Sequence, residues 1–294
     1  MVKKVLAGII VYNPSRNLVL LVDKLIEQDI KVILFINKGN RYSENIIKNK
    51  NVIFKDLGKN IGVSSALNEI IKEFMDGGFP YLFTFDQDSM IDSRFIKNML
   101  QTFEKFYLKN KNIVCCSPSI LDIKFKIRKS KKLILQKQKK NNEIQYVNFA
   151  ITSGSLFNRE SFKKVGNMNN LLFIDGVDTD WCERAVLLGF NLIKAQNIFL
   201  KHKIGSKRIN FFGIKKSYHD QDLRVYYIMR NSLYLLLYGS NTFRWKLSEI
   251  LRTIIRFLAY PILSSTKTKT LFYIFLAFKD VFKGNMGKMS YIDH

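Results

Sequence analysis

Apolar residues fall along the first half of the chain in two alternating rhythms. Predominantly apolar runs at residues 4–11, 31–36 and 81–85, with a shorter one at 52–54, have the length and composition of buried strands. Between them Leu18, Leu21, Val22, Leu25 and Ile26 recur at helical spacing, as do apolar positions of residues 63–74, before Gly77-Gly78 closes the segment. Strand, helix, strand, helix, strand is the order of a parallel sheet with crossover helices. Further on, the pattern predicts a helix over 91–106 and a strand over 113–117. A strand over 146–157 is interrupted by Thr152-Ser153-Gly154-Ser155. Short helices over 161–165 and 181–188 and a strand over 192–200 follow. The tail differs. Leu247, Ile250, Leu251, Ile254, Ile255 and Leu258 share one helical face and Arg252 and Arg256 mark the other, Pro261 breaks the helix, and residues 271–278 form a second apolar stretch followed by Lys283 and Lys288. The reading is therefore an α/β domain at 1–235 and a basic amphipathic helical region at 236–294. That region docks on the domain or lies in a membrane interface, and the membrane surface is favoured.

Charge sharpens this picture. Lys and Arg number 48 against 24 Asp and Glu, a formal net charge of +24, which implies an anionic partner such as nucleic acid, phospholipid or a phosphorylated substrate. The densest basic tract is Ile123-Lys124-Phe125-Lys126-Ile127-Arg128, strictly alternating, with Lys129, Lys131, Lys132, Lys137, Lys139 and Lys140. It is either a solvated hairpin or loop, or a surface for anionic lipid or a diphosphate-linked acceptor. No apolar stretch reaches the length of a membrane span. Cys115, Cys116 and Cys182 make neither a disulfide framework nor a zinc pattern, so a reduced, cytoplasmic protein is expected. The N-terminal apolar run is short and passes into Tyr12-Asn13-Pro14 without a cleavage site, which suits a first core strand better than a signal peptide.

The candidate chemistry begins at YLFTFDQDSM, residues 81–90, where a buried strand delivers Asp86 and Asp88 to its C-terminal tip. Side chains at i and i+2 face the same side of a strand, so the two carboxylates converge and repel unless a cation lies between them. Hard oxygen ligands suit Mg²⁺ or Mn²⁺, and Mg²⁺ binds through one or two carboxylates plus substrate phosphates. Strand ends are where open α/β sheets bind ligands. A second acidic cluster, Asp175, Asp178 and Asp180 ahead of Trp181, exceeds what helix capping needs and admits a catalytic carboxylate. His202 follows a strand that could end at the same edge. Arg224, Tyr226, Tyr227, Arg230 and Asn231 start a mixed aromatic and basic helix, suited to diphosphate recognition or to packing.

In order along residues 5–235, these stretches resemble glycosyltransferase family 2 enzymes of the GT-A fold, most of all the bacterial rhamnosyltransferases. The residues carrying the likeness are Val11-Tyr12-Asn13-Pro14, Asn60-x-Gly62 with Ala66 and Asn68, Phe85-Asp86-Gln87-Asp88-Ser89 and Ser153-Gly154-Ser155-Leu156. They continue with Phe173-Ile174-Asp175-x-Val177-Asp178-x-Asp180-Trp181-Cys182-x-Arg184, His202-x-x-Gly205 and Arg224-x-Tyr226-Tyr227-x-x-Arg230-Asn231. The resemblance implies a mostly parallel central sheet flanked by helices, with a C-terminal helical appendage. It implies that Asp88 and Asp86, with His202 nearby, hold Mg²⁺ or Mn²⁺, and that Asp178 is the catalytic base of an inverting transfer. Tyr12, Asn13, Asn37, Asn60, Gly62, Asp86, Ser153, Gly154 and Arg230 are then expected at the donor, Arg230 on the departing diphosphate. The implied donor is dTDP-L-rhamnose and the implied acceptor a lipid-linked or growing polysaccharide at the inner face of the cell membrane. One departure stands out: where many relatives carry Asp-Asn after the second strand, this chain has Ile36-Asn37, so a carboxylate for base or ribose is missing.

Other readings compete. Another nucleotide sugar, such as a UDP-sugar, could be the donor. A nucleotidyltransferase is disfavoured because no glycine-rich basic loop follows the first strand. A non-catalytic lipid- or nucleic-acid-binding protein would use the basic tract, and nucleic-acid binding of that kind would weaken steeply with salt; the transferase reading expects no nucleic-acid partner.

Overall fold

A computed structural model describes residues 5–13, 16–37, 49–122, 142–202, 207–211, 214–218 and 222–290; of Asp122, His202, Asp222 and the strands at 207–211 and 214–218 it gives the backbone alone. Pro14, Gly205 and the basic tract at 123–140 lie outside the described residues.

The central sheet holds eight strands: β1 (Val5–Val11), β2 (Lys31–Ile36), β3 (Val52–Asp56), β4 (Tyr81–Asp86), β5 (Ile113–Asp122), β6 (Ile144–Val147), β7 (Ser155–Asn158) and β8 (Asn191–His202). Their order is β3-β2-β1-β4-β7-β5-β8-β6. The sheet is parallel from β3 through β4 and between β5 and β8, and antiparallel where β7 is inserted and at the β6 edge. A separate antiparallel hairpin pairs β9 (Lys207–Phe211) with β10 (Ile214–Tyr218). β2 and β4 are buried along nearly their whole length, as expected of strands covered on both faces. The exposed residue at the end of β4 is Asp86.

Helices cover the sheet on both sides. On one face lie α1 (Arg16–Ile26), whose Leu18, Leu21, Val22 and Leu25 form its buried stripe, and α3 (Phe95–Lys109), which packs Phe95, Met99 and Phe103 against Phe83 and Phe85. On the other lie α2 (Gly62–Asp76), α4 (Arg159–Val165) and α5 (Val177–Leu187). Each fully buried side chain of this size contributes about 1.5–3 kcal/mol, so the two cores fix the strand tips that carry the chemistry. A third cluster joins α6 (Asp222–Leu237) to α8 (Lys267–Lys283), and α7 (Phe243–Leu263) packs beside them.

Several boundaries differ from the pattern-based expectation: β5 runs on to Asp122, and the stretch expected as one interrupted strand over 146–157 divides into β6 and β7, which are not neighbours in the sheet. α3 starts at Phe95, because Met90 is held in a two-way bridge to Lys201 and Asp92 caps the Arg94 amide. α5 starts at Val177, directly after Gly176 at φ 79°, so Asp178 and Asp180 occupy its first turn, where carboxylates favour the helix dipole. α7 runs through Pro261 and stops at Ser264, whose amide still reaches the Tyr260 carbonyl at 3.0 Å. Near the helix end the proline removes a single bond, to the fourth residue before it.

Candidate active site

β4 ends in a turn that two neighbours hold from either side. Ser153, from the turn ahead of β7, accepts the Asp86 amide at 3.1 Å and shares a hydrogen bond of 2.8 Å with Ser89. The Gly154 amide donates to the Thr84 carbonyl at 2.6 Å, and the glycine's φ of 76° together with Leu200 and Pro118 at 3.0 Å from a would-be Cβ leaves no room for a side chain. Ser153 and Gly154, expected at the donor, therefore build the frame of the Asp86–Asp88 turn. From the other side Gln87 accepts the Tyr12 amide at 2.7 Å and donates to the carbonyls of Tyr12 at 2.6 Å and Asn13 at 3.3 Å. Gln87 was not among the expected site residues. β4 ends at Asp86 and Gln87 opens the turn that follows, so no strand alternation in the sequence marks it.

Asn37 and the Asn60–Gly62 turn form another part of the frame. Buried Asn37 accepts the Ile61 amide at 2.9 Å, and its own amide donates to the Val11 carbonyl at 2.8 Å. Asn60 accepts the Gly62 amide at 2.9 Å. Gly62, at φ 85°, lies against Phe173, whose ring would meet a Cβ at 2.5 Å and whose carbonyl receives the Val63 amide at 2.6 Å. Asn37 and the Gly62 turn thus tie four chain segments together, at Val11, Asn37, 60–63 and Phe173, while Tyr12 and Asn13 remain exposed at the end of β1.

The three aspartates of the second cluster part company through their partners. Asp175 takes a bidentate pair from Arg224 at 2.9 and 3.0 Å. Asp180, buried, accepts from Arg184 at 2.9 Å. Asp178 instead faces Thr152, which hydrogen-bonds it through hydroxyl and backbone, and lies within electrostatic reach of Asp86. Beneath it Cys115, Ala150, Phe157, Met168, Trp181 and Cys182 make an apolar floor. Burial against that floor, and secondarily the charge of Asp86, push the Asp178 carboxyl up to about 7, with the Thr152 hydrogen bonds opposing the rise. A carboxyl poised near neutral pH is suited to take a proton from a hydroxyl.

The segment before Asp178 is clamped from α6. Asn231 donates to the carbonyls of Leu172, Ile174 and Asp175 at 2.7–2.8 Å. Arg230, expected on the departing diphosphate, needs correction: it is fully buried, and its five N–H groups meet Asn231, Tyr226 and the carbonyls of Gly287, Leu171 and Leu172. A guanidinium enclosed in this way holds protein backbone and has no donor left for phosphate.

For a divalent cation, the donor chemistry fits. Asp86 and Asp88 supply hard oxygens at one strand tip, and the bridge of Met90 to Lys201 brings the backbone of His202 beside the same turn. Among the described residues no group of three or more His, Cys, Asp and Glu side chains converges as a metal cage.

Comparison with known proteins decides the family. A model of glycosyl transferase family 2 matches residues 7–166, more than half of the chain. The chain belongs to glycosyltransferase family 2. This family 2 enzyme is also 32% identical over 239 residues, 78% of its own length and 79% of the relative's, to the dTDP-rhamnosyl transferase RfbF of Shigella flexneri. Among solved structures, S. aureus TarS 1–349 in complex with UDP-GlcNAc superposes with a TM-score of 0.60 at 12% identity, over 95% of this chain and 81% of that one. GalNAc-T7 with UDP, GalNAc and Mn2+ gives 0.57 at 12% identity over 80% of this chain, which spans 47% of that protein. At these identities the likeness establishes the GT-A fold of the family 2 enzyme. Among the described residues of the transferase no helix is long and apolar enough to cross a membrane.

Proposed function

We propose that this glycosyltransferase moves L-rhamnose, with inversion, from dTDP-L-rhamnose to a hydroxyl of a lipid-linked or growing cell-surface polysaccharide at the inner face of the membrane. The observation that carries the mechanism is Asp178, held over an apolar floor and pushed up to about 7 beside Asp86. The donor is supported by the likeness to the Shigella dTDP-rhamnosyl transferase. An Asp178 oxygen takes the proton of the acceptor hydroxyl. That hydroxyl's oxygen bonds to the anomeric carbon from the side opposite the diphosphate, and the carbon–oxygen bond to the diphosphate breaks with its electron pair leaving on dTDP. Asp86 and Asp88, with His202 from the adjoining strand end, would hold Mg²⁺ or Mn²⁺, which when bound supplies positive charge to the departing diphosphate. Tyr12, Asn13 and Asn60 face the nucleotide, and Gln87 holds the first two in place for it.

The test is titration calorimetry with dTDP-L-rhamnose, UDP-sugars and GDP-sugars, each with Mn²⁺ and with EDTA. Binding of dTDP-L-rhamnose that disappears in EDTA is expected. Preferential binding of a UDP-sugar would replace the donor, and a silent titration with all of them would overturn the donor-site reading.

A further inference from the structure

Helix α7 turns a long apolar stripe to solvent and a carboxylate network inward. The helix of a water-facing protein turns its apolar stripe to the core and its charges to solvent. In α7 the inward side, beside Trp245, Phe257, Ala259 and Tyr260, carries a buried ion-pair network: Glu249 is 3% exposed, accepts from Ser232 of α6 at 2.8 Å, and pairs with Arg252 and Arg256. Outward, at successive turns, stand Phe243, Leu247, Ile250, Ile254, Leu258 and Ile262, each between 47% and 76% exposed. Truncating a buried ion pair is costly, so the Glu249 network fixes the rotation of the helix and with it the outward aim of the stripe. α8, joined to α7 by the stacked rings of Phe257 and Phe278, adds exposed Phe272, Phe275 and Phe282. An apolar surface of this extent marks an interaction site.

Charge identifies what covers it. The carboxylates between residues 236 and 290 are Glu249 and Asp280, each 3% exposed and hydrogen-bonded inside the fold. The exposed charges of the same segment are cationic: Arg244, Lys267, Lys269, Lys279, Lys283 and Lys288. A second copy of this surface would bring like charges together, whereas a bilayer with anionic headgroups satisfies both the stripe and its lysines. We propose that the outer faces of α7 and α8 form a docking surface for an anionic phospholipid bilayer. The proposal builds on the membrane site of action given above, and its test needs no donor, acceptor or metal, so the two can fail separately.

The full chain is floated with vesicles of phosphatidylcholine and with vesicles containing phosphatidylglycerol, at low and high salt, alongside the variant Leu247→Ser/Ile254→Ser/Leu258→Ser and a second variant with Lys267, Lys269, Lys279 and Lys283 changed to Ser. The substituted side chains are exposed, so circular dichroism should match the parent. The parent is expected to float with phosphatidylglycerol vesicles and at least tenfold less with phosphatidylcholine alone. The stripe variant should lose at least tenfold in affinity for the anionic vesicles, and the lysine variant should lose most of the preference between the two lipids. A parent that floats with neither vesicle, or a stripe variant that floats as well as the parent, would overturn the proposal. A parent dimer in sedimentation equilibrium that the stripe variant abolishes would do so too, by assigning the surface to a second copy.

Discussion

Asp178 keeps its proton to about pH 7 because Cys115, Phe157, Trp181 and Cys182 exclude water beneath it and Asp86 adds a like charge nearby. The same burial has a cost in stability. A carboxyl whose folded pKa lies above its unfolded value of about 3.9 destabilises the fold as pH rises from the lower value to the higher. The penalty is on the order of a few kcal/mol above pH 7. Asp178→Asn is therefore expected to raise the melting temperature at pH 8 and to leave it nearly unchanged at pH 4, in paired thermal scans. Arg230 is the opposite case. Arg230→Met removes the Arg230 donor from the Gly287 carbonyl and one donor each from the carbonyls of Leu171 and Leu172, which keep the Gly287 amide and Asn231 respectively, and a loss of about 3 kcal/mol in denaturant unfolding is expected, with donor affinity unchanged in the molecules that remain folded. A fall in donor affinity at full stability would return Arg230 to the diphosphate.

The elements act by holding loops. α6 grips the approach to Asp178 through Asn231 and the Arg224–Asp175 pair, and α8 and the segment after it brace α6 in turn, with the Tyr226 hydroxyl on Asp280 at 2.7 Å and the Met289 amide on the Tyr227 hydroxyl at 3.0 Å. Asn231→Ala should thus lower kcat by about tenfold or more through a misplaced base, with donor affinity unchanged in calorimetry. Gln87→Ala should raise the KM for donor with a smaller change in kcat, since it frees the Tyr12–Asn13 tip. The alternation of strands and helices in the first half was legible because each element repeats its own period. The start of α5 was not, because Asp178 and Asp180 read equally well as residues capping a helix from outside. The fate of Arg230 was not legible either: its carbonyl partners lie more than fifty residues away in either direction, and no local pattern in the sequence records them.

At the scale of the molecule, the sheet brings together residues that lie far apart in sequence: Tyr12 at the end of β1, Asp86 at the end of β4, Thr152 ahead of β7 and the backbone of His202 at the end of β8. The periodicity of α7 was visible in the chain, but its outward aim follows from Glu249 finding Ser232 on α6, a tertiary fact. The most direct test of the central claim, that Asp178 is the base of a rhamnosyl transfer, is the pH dependence of kcat/KM for dTDP release from dTDP-L-rhamnose, with membrane lipid extract supplying acceptor. The rate is expected to rise about tenfold per pH unit below 7 and to level above it, as a base that must lose its proton requires. In Asp178→Asn it should fall by about 10²–10⁴-fold with that rise abolished and donor affinity retained. A variant that turns over at the parent's rate with the parent's pH profile would contradict the assignment.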